Sequence, residues 1–297
     1  MTFFCLLTAL LLEFFYPLPA GSRVTQWFSR YTSFLERNLN AGHGRHSLLV
    51  WGLSVLPFVL ATLLVTFLLA RLGVLVEWVW GVAVLYLCMG FMDTAGKAAS
   101  IAALLRNQEQ EKARQQFELW TGVAATHLSD AEICNQGIQK TLLGAYQYLF
   151  GAMIWFVLLG PTGAVLYRLA QSVKDEWTQD DQPDTGAMGS VASSIFYWLE
   201  WLPLRVSATS FAMVGNFEDA MYCWRTQADR SPGKGLQLVL ASGAGAMGVK
   251  LTGENGQELG QGAEADADFL ESSTNLIWRT LLMWLGMLFL LMLMQWF

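Results

Sequence analysis

The chain has 297 residues, 54% of them hydrophobic and 14% charged, with a formal net charge of −6. A soluble domain carries about 25% charged residues, so this composition excludes an ordinary globular, disordered or disulfide-rich class and points to lipid as the solvent. The acidic balance also excludes nucleic acid as a main partner, because phosphate binding needs a basic face. The four cysteines, at 5, 88, 134 and 223, form no C-x-x-C pair and read as small buried hydrophobes rather than a zinc or redox site.

A bilayer core of about 30 Å needs roughly 20 mostly apolar residues in a helix. In chain order, six segments approach this: about 2–18, 47–70, 74–92, 142–167, 191–214 and 277–297. The first holds Glu13 and has no basic residue ahead of it, so it reads as a retained span rather than a secretory signal. Segment 47–70 is uncharged and contains Pro57, and 74–92 follows it after Arg71 as a helical hairpin. Segment 142–167 is uncharged too, and Gly160-Pro161 ends or bends it. Segment 191–214 contains Glu200, Pro203 and Arg205, whereas the last span is an uncharged run to the C-terminus.

Lys and Arg gather in cytoplasmic loops. Six spans with both termini outside put fourteen of the eighteen basic residues inside, in loops near 19–46, 93–141 and 215–275 and at Arg279. Arg168, Lys174 and the acids of 175–184 then fall outside. Residues 93–120 read as one long cytoplasmic helix, and Ser129 with Glu132 as the capping box of the next. The stretch 252–273, rich in Gly, Asp and Glu, reads as a flexible tether. No internal repeat is evident.

Ionisable groups inside a span cost about 2.5–3.5 kcal/mol on insertion scales and usually face a partner or a cavity. Glu13, Glu200 and Arg205 qualify, and Arg205 carries the fork that suits a phosphate or carboxylate. Gly243 to Gly248 matches G-x-G-x-x-G after a strand-like run at 236–240, but no βαβ unit surrounds it, so close packing of small residues is expected. Ser231-Pro232-Gly233-Lys234-Gly235 is a glycine-rich loop with a lysine, a candidate phosphate cradle that lacks the P-loop order. His43, His46 and His127 do not make a ligand set, and no metal is expected.

Several strings in order resemble the CobD/CbiB family of integral membrane adenosylcobinamide-phosphate synthases. They are Leu35-Glu36-Arg37-Asn38-Leu39-Asn40, Leu159-Gly160-Pro161-Thr162-Gly163-Ala164 leading to Tyr167-Arg168, Trp201-Leu202-Pro203-Leu204-Arg205, Ser231-Pro232, and Ala244 to Leu251. The resemblance implies a multi-pass protein of the bacterial inner membrane. It also implies a reaction joining aminopropanol or its phosphate to adenosylcobyric acid, late in cobalamin synthesis. A related branch, AmpE, is associated with β-lactamase induction and cell-wall sensing.

The family's acids are replaced here. Where it carries E-S-V-A-E-N-x-x-D-G this chain reads Gln139 to Tyr148; Y-R-x-x-N-T-x-D has become Tyr167 to Lys174; and the paired acids ahead of the Trp-Leu-Pro string are Phe196 and Tyr197. Amide synthesis with a nucleotide uses carboxylates to hold Mg²⁺ and to accept a proton. The expectation is therefore an all-α polytopic protein of one domain that has lost synthase chemistry and acts in an accessory or AmpE-like regulatory role. The alternative is an active synthase using ATP and Mg²⁺ with Glu13, Glu36 and Glu200. The retained Arg168, Trp201, Arg205 and Lys250, with Glu13, Glu200, Ser231 and Lys234, are the expected ligand-binding residues. The expected partners are the bilayer and a corrinoid or cell-wall-derived ligand, with room for a homo-oligomer.

Overall fold

The computed structural model describes residues 2–18, 30–33, 44–179, 186–228, 235–253 and 256–294. Among the described residues the chain is all-α apart from one small sheet. The helices are α1 (Thr2–Phe15), α2 (Gly44–Ala70), α3 (Val74–Cys88), α4 (Met92–Arg106), α5 (Gln110–Thr121), α6 (Asp130–Ala145), α7 (Gly151–Gln179), α8 (Gly186–Val214), α9 (Phe217–Gln227), α10 (Leu236–Met247) and α11 (Ala267–Met294). A π-turn at Tyr146–Phe150 joins α6 to α7. The strands are β1 (Val249–Thr252), β2 (Glu258–Leu259) and β3 (Ala263–Glu264). The chain divides into two compact units, residues 1–90 with 148–202, and residues 91–147 with 203–297.

Among the described residues three helical runs are long and apolar enough to cross a membrane, Ser47–Ala70, Asp130–Thr178 and Ala267–Met294, and a fourth if α3 and α4 form one span. Of the other expected spans, α1 is a short apolar helix of 14 residues. Helix α8 has its apolar run interrupted by Glu200, Pro203 and Arg205.

The run 130–178 is not one rod. Gly160 (φ 65°, ψ −154°) leaves helical geometry inside α7, and the residues on either side of it pack against each other. A Cβ on Gly151 would overlap the Tyr167 ring, and one on Gly163 would overlap the Trp155 carbonyl oxygen. The Arg168 guanidinium lies 4.5 Å from the centre of the Tyr148 ring. In a straight helix positions 151 and 167 would be about 24 Å apart at about 1.5 Å per residue, beyond the reach of any side chain. The three contacts pair positions almost symmetrically about 159, as two antiparallel arms do. Segment 142–167, expected as one span, thus reverses at Gly160-Pro161, where glycine supplies the positive φ and proline starts the next helix.

In the first unit the base of this hairpin is tied to the start of α2. Val50 and Val55 share a buried cluster with Val173, Trp177, Met188 and Ala192, and the Ser33 hydroxyl donates to Glu176 (2.6 Å). At the other end, Phe156 lies beside Gly81, and Trp80 donates to Thr66 Oγ1 (3.0 Å). Residues 168–177 therefore stand level with Ser33 and Val50, whereas Arg71 lies past Thr66 at the end near the hairpin tip. The expected topology set the segment after Arg168 across the membrane from the loop 19–46, whose described residue Ser33 instead bonds Glu176.

Two prolines inside these helices each free a carbonyl four residues back, and in lipid such a group must find another donor. Pro57 frees Leu53, whose oxygen accepts from the Tyr31 hydroxyl (3.3 Å). Pro203 frees Leu199, whose oxygen accepts from Trp155 Nε1 (3.1 Å). Trp155→Phe keeps an aromatic ring at the site but leaves this part-buried acceptor unpaired, and is expected to lower stability by about 1–3 kcal/mol. Thermal unfolding in detergent checks this, and an unchanged midpoint would mean that the bond contributes nothing.

In the second unit, Arg106 at the end of α4 donates to Asp268 (2.6 and 2.8 Å) and to Glu271 on α11. The expected long helix at 93–120 is two helices, broken at Asn107–Glu109 where Gln108 adopts a positive φ of 60°. The Ser129–Glu132 capping box forms as expected. Residues 252–273 are not a free tether among the described residues: β1 pairs with β2 antiparallel and β3 parallel. Gln227 clamps Gly260 through both its amide atoms (2.6 and 3.0 Å), and Asn135 bonds both the N–H and the carbonyl of Thr252. The run expected as strand-like at 236–240 is the start of α10. Its glycines are close-packing residues, Gly243 against Leu142 and Gly245 against the backbone of Asp219 and Ala220.

Candidate functional site

The first unit holds Glu13, Arg168, Glu200 and Trp201. Glu13 is buried on α1, and Glu200 is buried on α8. Trp201 beside it is exposed. Arg205, on the same helix, belongs to the second unit. Lys250 is an exposed strand residue of the second unit, in register with Glu264 across β1 and β3. Ser231, Lys234, Glu36 and His43 lie outside the described residues. His127 lies in the loop before α6.

What gathers in the first unit is a set of residues around Arg168 that the substituted family strings supply. Tyr148 on one arm of the hairpin lies against the face of the Arg168 guanidinium on the other. Arg168 Nη1 donates to Gln171 Oε1 (3.0 Å), and Gln171 is 0% exposed. Lys174, one turn on, stands 5.3 Å from the centre of the Phe196 ring and 3.5 Å from Asp175. Phe196 in turn tilts against Tyr167 at 5.5 Å. Arg168 and Lys174 thus each stand against an aromatic ring, a cation–π arrangement that helps to keep a positive charge in a half-buried place.

Tyr148, Gln171, Lys174 and Phe196 were legible in the sequence only as substitutions. Their convergence depends on the reversal at Gly160, for which the sequence signal is Gly160-Pro161 itself.

Among the described residues no three of His, Cys, Asp and Glu stand together so as to hold a metal ion. The cysteines are all buried, and burial with the nearby Asp219 pushes the Cys223 thiol up, which leaves it a poor nucleophile.

Comparison with known proteins gives a family match and two curated relatives. The model of the family described as CobD/Cbib protein matches residues 6–283. The chain is 29% identical over 295 residues to the cobalamin biosynthesis protein CobD of Stutzerimonas stutzeri, covering 95% of each chain. It is 32% identical over 201 residues to the protein of the same name from Chromobacterium violaceum, covering 68% of this chain and 62% of the relative. No solved structure matches.

Proposed function

Since the chain belongs to the CobD/CbiB family, we propose that it serves cobalamin biosynthesis from the bacterial inner membrane, as a member that holds a ligand without making the amide bond itself. Both relatives are named for cobalamin biosynthesis, and that branch is preferred here over cell-wall sensing. The observation that carries the non-catalytic reading is the Arg168 neighbourhood. Tyr148 and Phe196 fill the space against its cations, in strings where the family's acids are replaced.

The base of the hairpin and the basic loop 19–46 share one side in this reading, the cytoplasmic one, which brings Arg168 and Lys174 into agreement with the distribution of Lys and Arg. The N-terminus is then outside.

A second reading, an active synthase using ATP and Mg²⁺, is favoured by the end-to-end alignment with the Stutzerimonas protein. One experiment separates the two. The detergent-purified chain is incubated with adenosylcobyric acid, aminopropanol phosphate, ATP and Mg²⁺ beside a working synthase, and the product is read by mass spectrometry. The expected result is no adenosylcobinamide phosphate from this chain while the control turns over. Product formation would overturn the non-catalytic reading and make Glu13, Glu36 and Glu200 the first positions to mutate.

A further inference from the structure

We infer that Arg168 and Gln171 form a binding site for a single carboxylate at the base of the α7 hairpin. Gln171 is fully buried, its Oε1 is taken by Arg168, and its Nε2, also buried, has no acceptor among the described residues. Flipping the amide gives no relief, because a guanidinium only donates and would then face another donor. A buried donor left unpaired costs about 1–3 kcal/mol, a cost that a bound acceptor removes.

Arg168 is short of an acceptor as well. Among the described residues no carboxylate lies within ion-pair distance of it: Asp175 is paired with Lys174, and Glu176 accepts from Ser33. The Tyr148 ring covers the face of the guanidinium and so leaves its edge, where the N–H groups lie, for recognition. A water molecule would satisfy Nε2 but not the charge.

The charge count selects the ligand class. One guanidinium balances one carboxylate, with the Gln171 amide giving a third N–H beside the two of a bidentate fork. A phosphate monoester carries nearly two charges, and the nearest second cation, Lys174, is engaged by Asp175 and the Phe196 ring. Arg168 is half-buried, which leaves part of its edge open to a ligand.

The site stands on this geometry, and one probe of its test rests on the cobalamin reading. The full chain in phosphatidylcholine nanodiscs is titrated with adenosylcobyric acid, with cobinamide as the amidated comparator, with oleate and with dodecyl phosphate, and binding is read by native mass spectrometry. The expected result is binding of a carboxylate probe, weakened at least about tenfold, or about 1.4 kcal/mol, in both Arg168→Gln and Gln171→Met. Gln171→Met replaces a buried amide, bonded to Arg168 only through Oε1, by an apolar side chain of similar shape, so the fold is retained; Arg168→Lys replaces Arg168→Gln should the latter not fold. Oleate bound and adenosylcobyric acid ignored would support the site and remove the cobalamin reading. Neither carboxylate bound, equal affinity in both variants, or preference for dodecyl phosphate would each overturn the proposal.

Discussion

Cysteines placed at Thr178 and at Arg71 are expected to react with a membrane-impermeant maleimide from opposite faces of the membrane. Each is introduced singly into the chain, whose four native cysteines are buried. Thr178 is exposed near the end of the returning arm of α7, one residue from Trp177, which packs against the start of α2. Arg71 lies at the other end of α2, in the turn before α3. A segment 142–167 that crossed once would carry Thr178 to the side of Arg71, whereas the reversal at Gly160 brings it back to the side of Ser33. The contrast is all-or-none in intact cells against inverted vesicles. Labelling of both from the same face would mean that α7 crosses as a single span.

Gly163→Ala is expected to destabilise the first unit by about 2 kcal/mol. In a helix interior this substitution ordinarily gains up to about 1 kcal/mol. Here the new methyl group meets the Trp155 carbonyl oxygen of the opposite arm, with Leu159 Cβ also within 2.7 Å. Backbone inside a packed helix cannot swing aside as a side chain can, and overpacking costs about 1–3 kcal/mol, occasionally more. Gly286→Ala is the control, since nothing lies within 4 Å of its Cβ. It should leave the melting temperature unchanged or raise it. Equal behaviour of the two variants would show that the arms of the hairpin are not in close contact.

Small residues at a facing register are what allow two helices to approach in lipid, where apolar surface alone gives no preference for helix over lipid tail. Gly151, Ala152, Gly163 and Ala164 fill that role here, and the first two lie on one arm and the last two on the other. The same requirement, that every buried polar group find a partner, explains why Trp155 and Tyr31 serve the carbonyls freed by Pro203 and Pro57. These indole and hydroxyl donors were invisible in a reading of hydropathy, which scores both side chains by bulk.

The capping box at Ser129 and the uncharged helix at 47–70 were legible because their signals are local, a side chain three residues from its partner or a continuous apolar run. So was the family, since its strings depend on order along the chain rather than on contacts. The break at Gln108 and the sheet at 249–264 were not. Gly, Asp and Glu between 252 and 273 look like a disordered composition, and what orders them comes from Asn135 and Gln227, far away in sequence.

By itself, then, the sequence determined that this protein is helical, that lipid is its solvent, and which family strings it keeps and which acids it lacks, because composition and order along the chain carry that information. Only the tertiary structure decided where the chain turns back and which side chains meet. Apolar residues before and after Gly160 have the same hydropathy whether the helix continues or reverses. The difference lies in contacts between positions 148 and 168, 151 and 167, and 155 and 163, and it is those contacts that put Arg168 and Gln171 at the base of a hairpin, short of an acceptor.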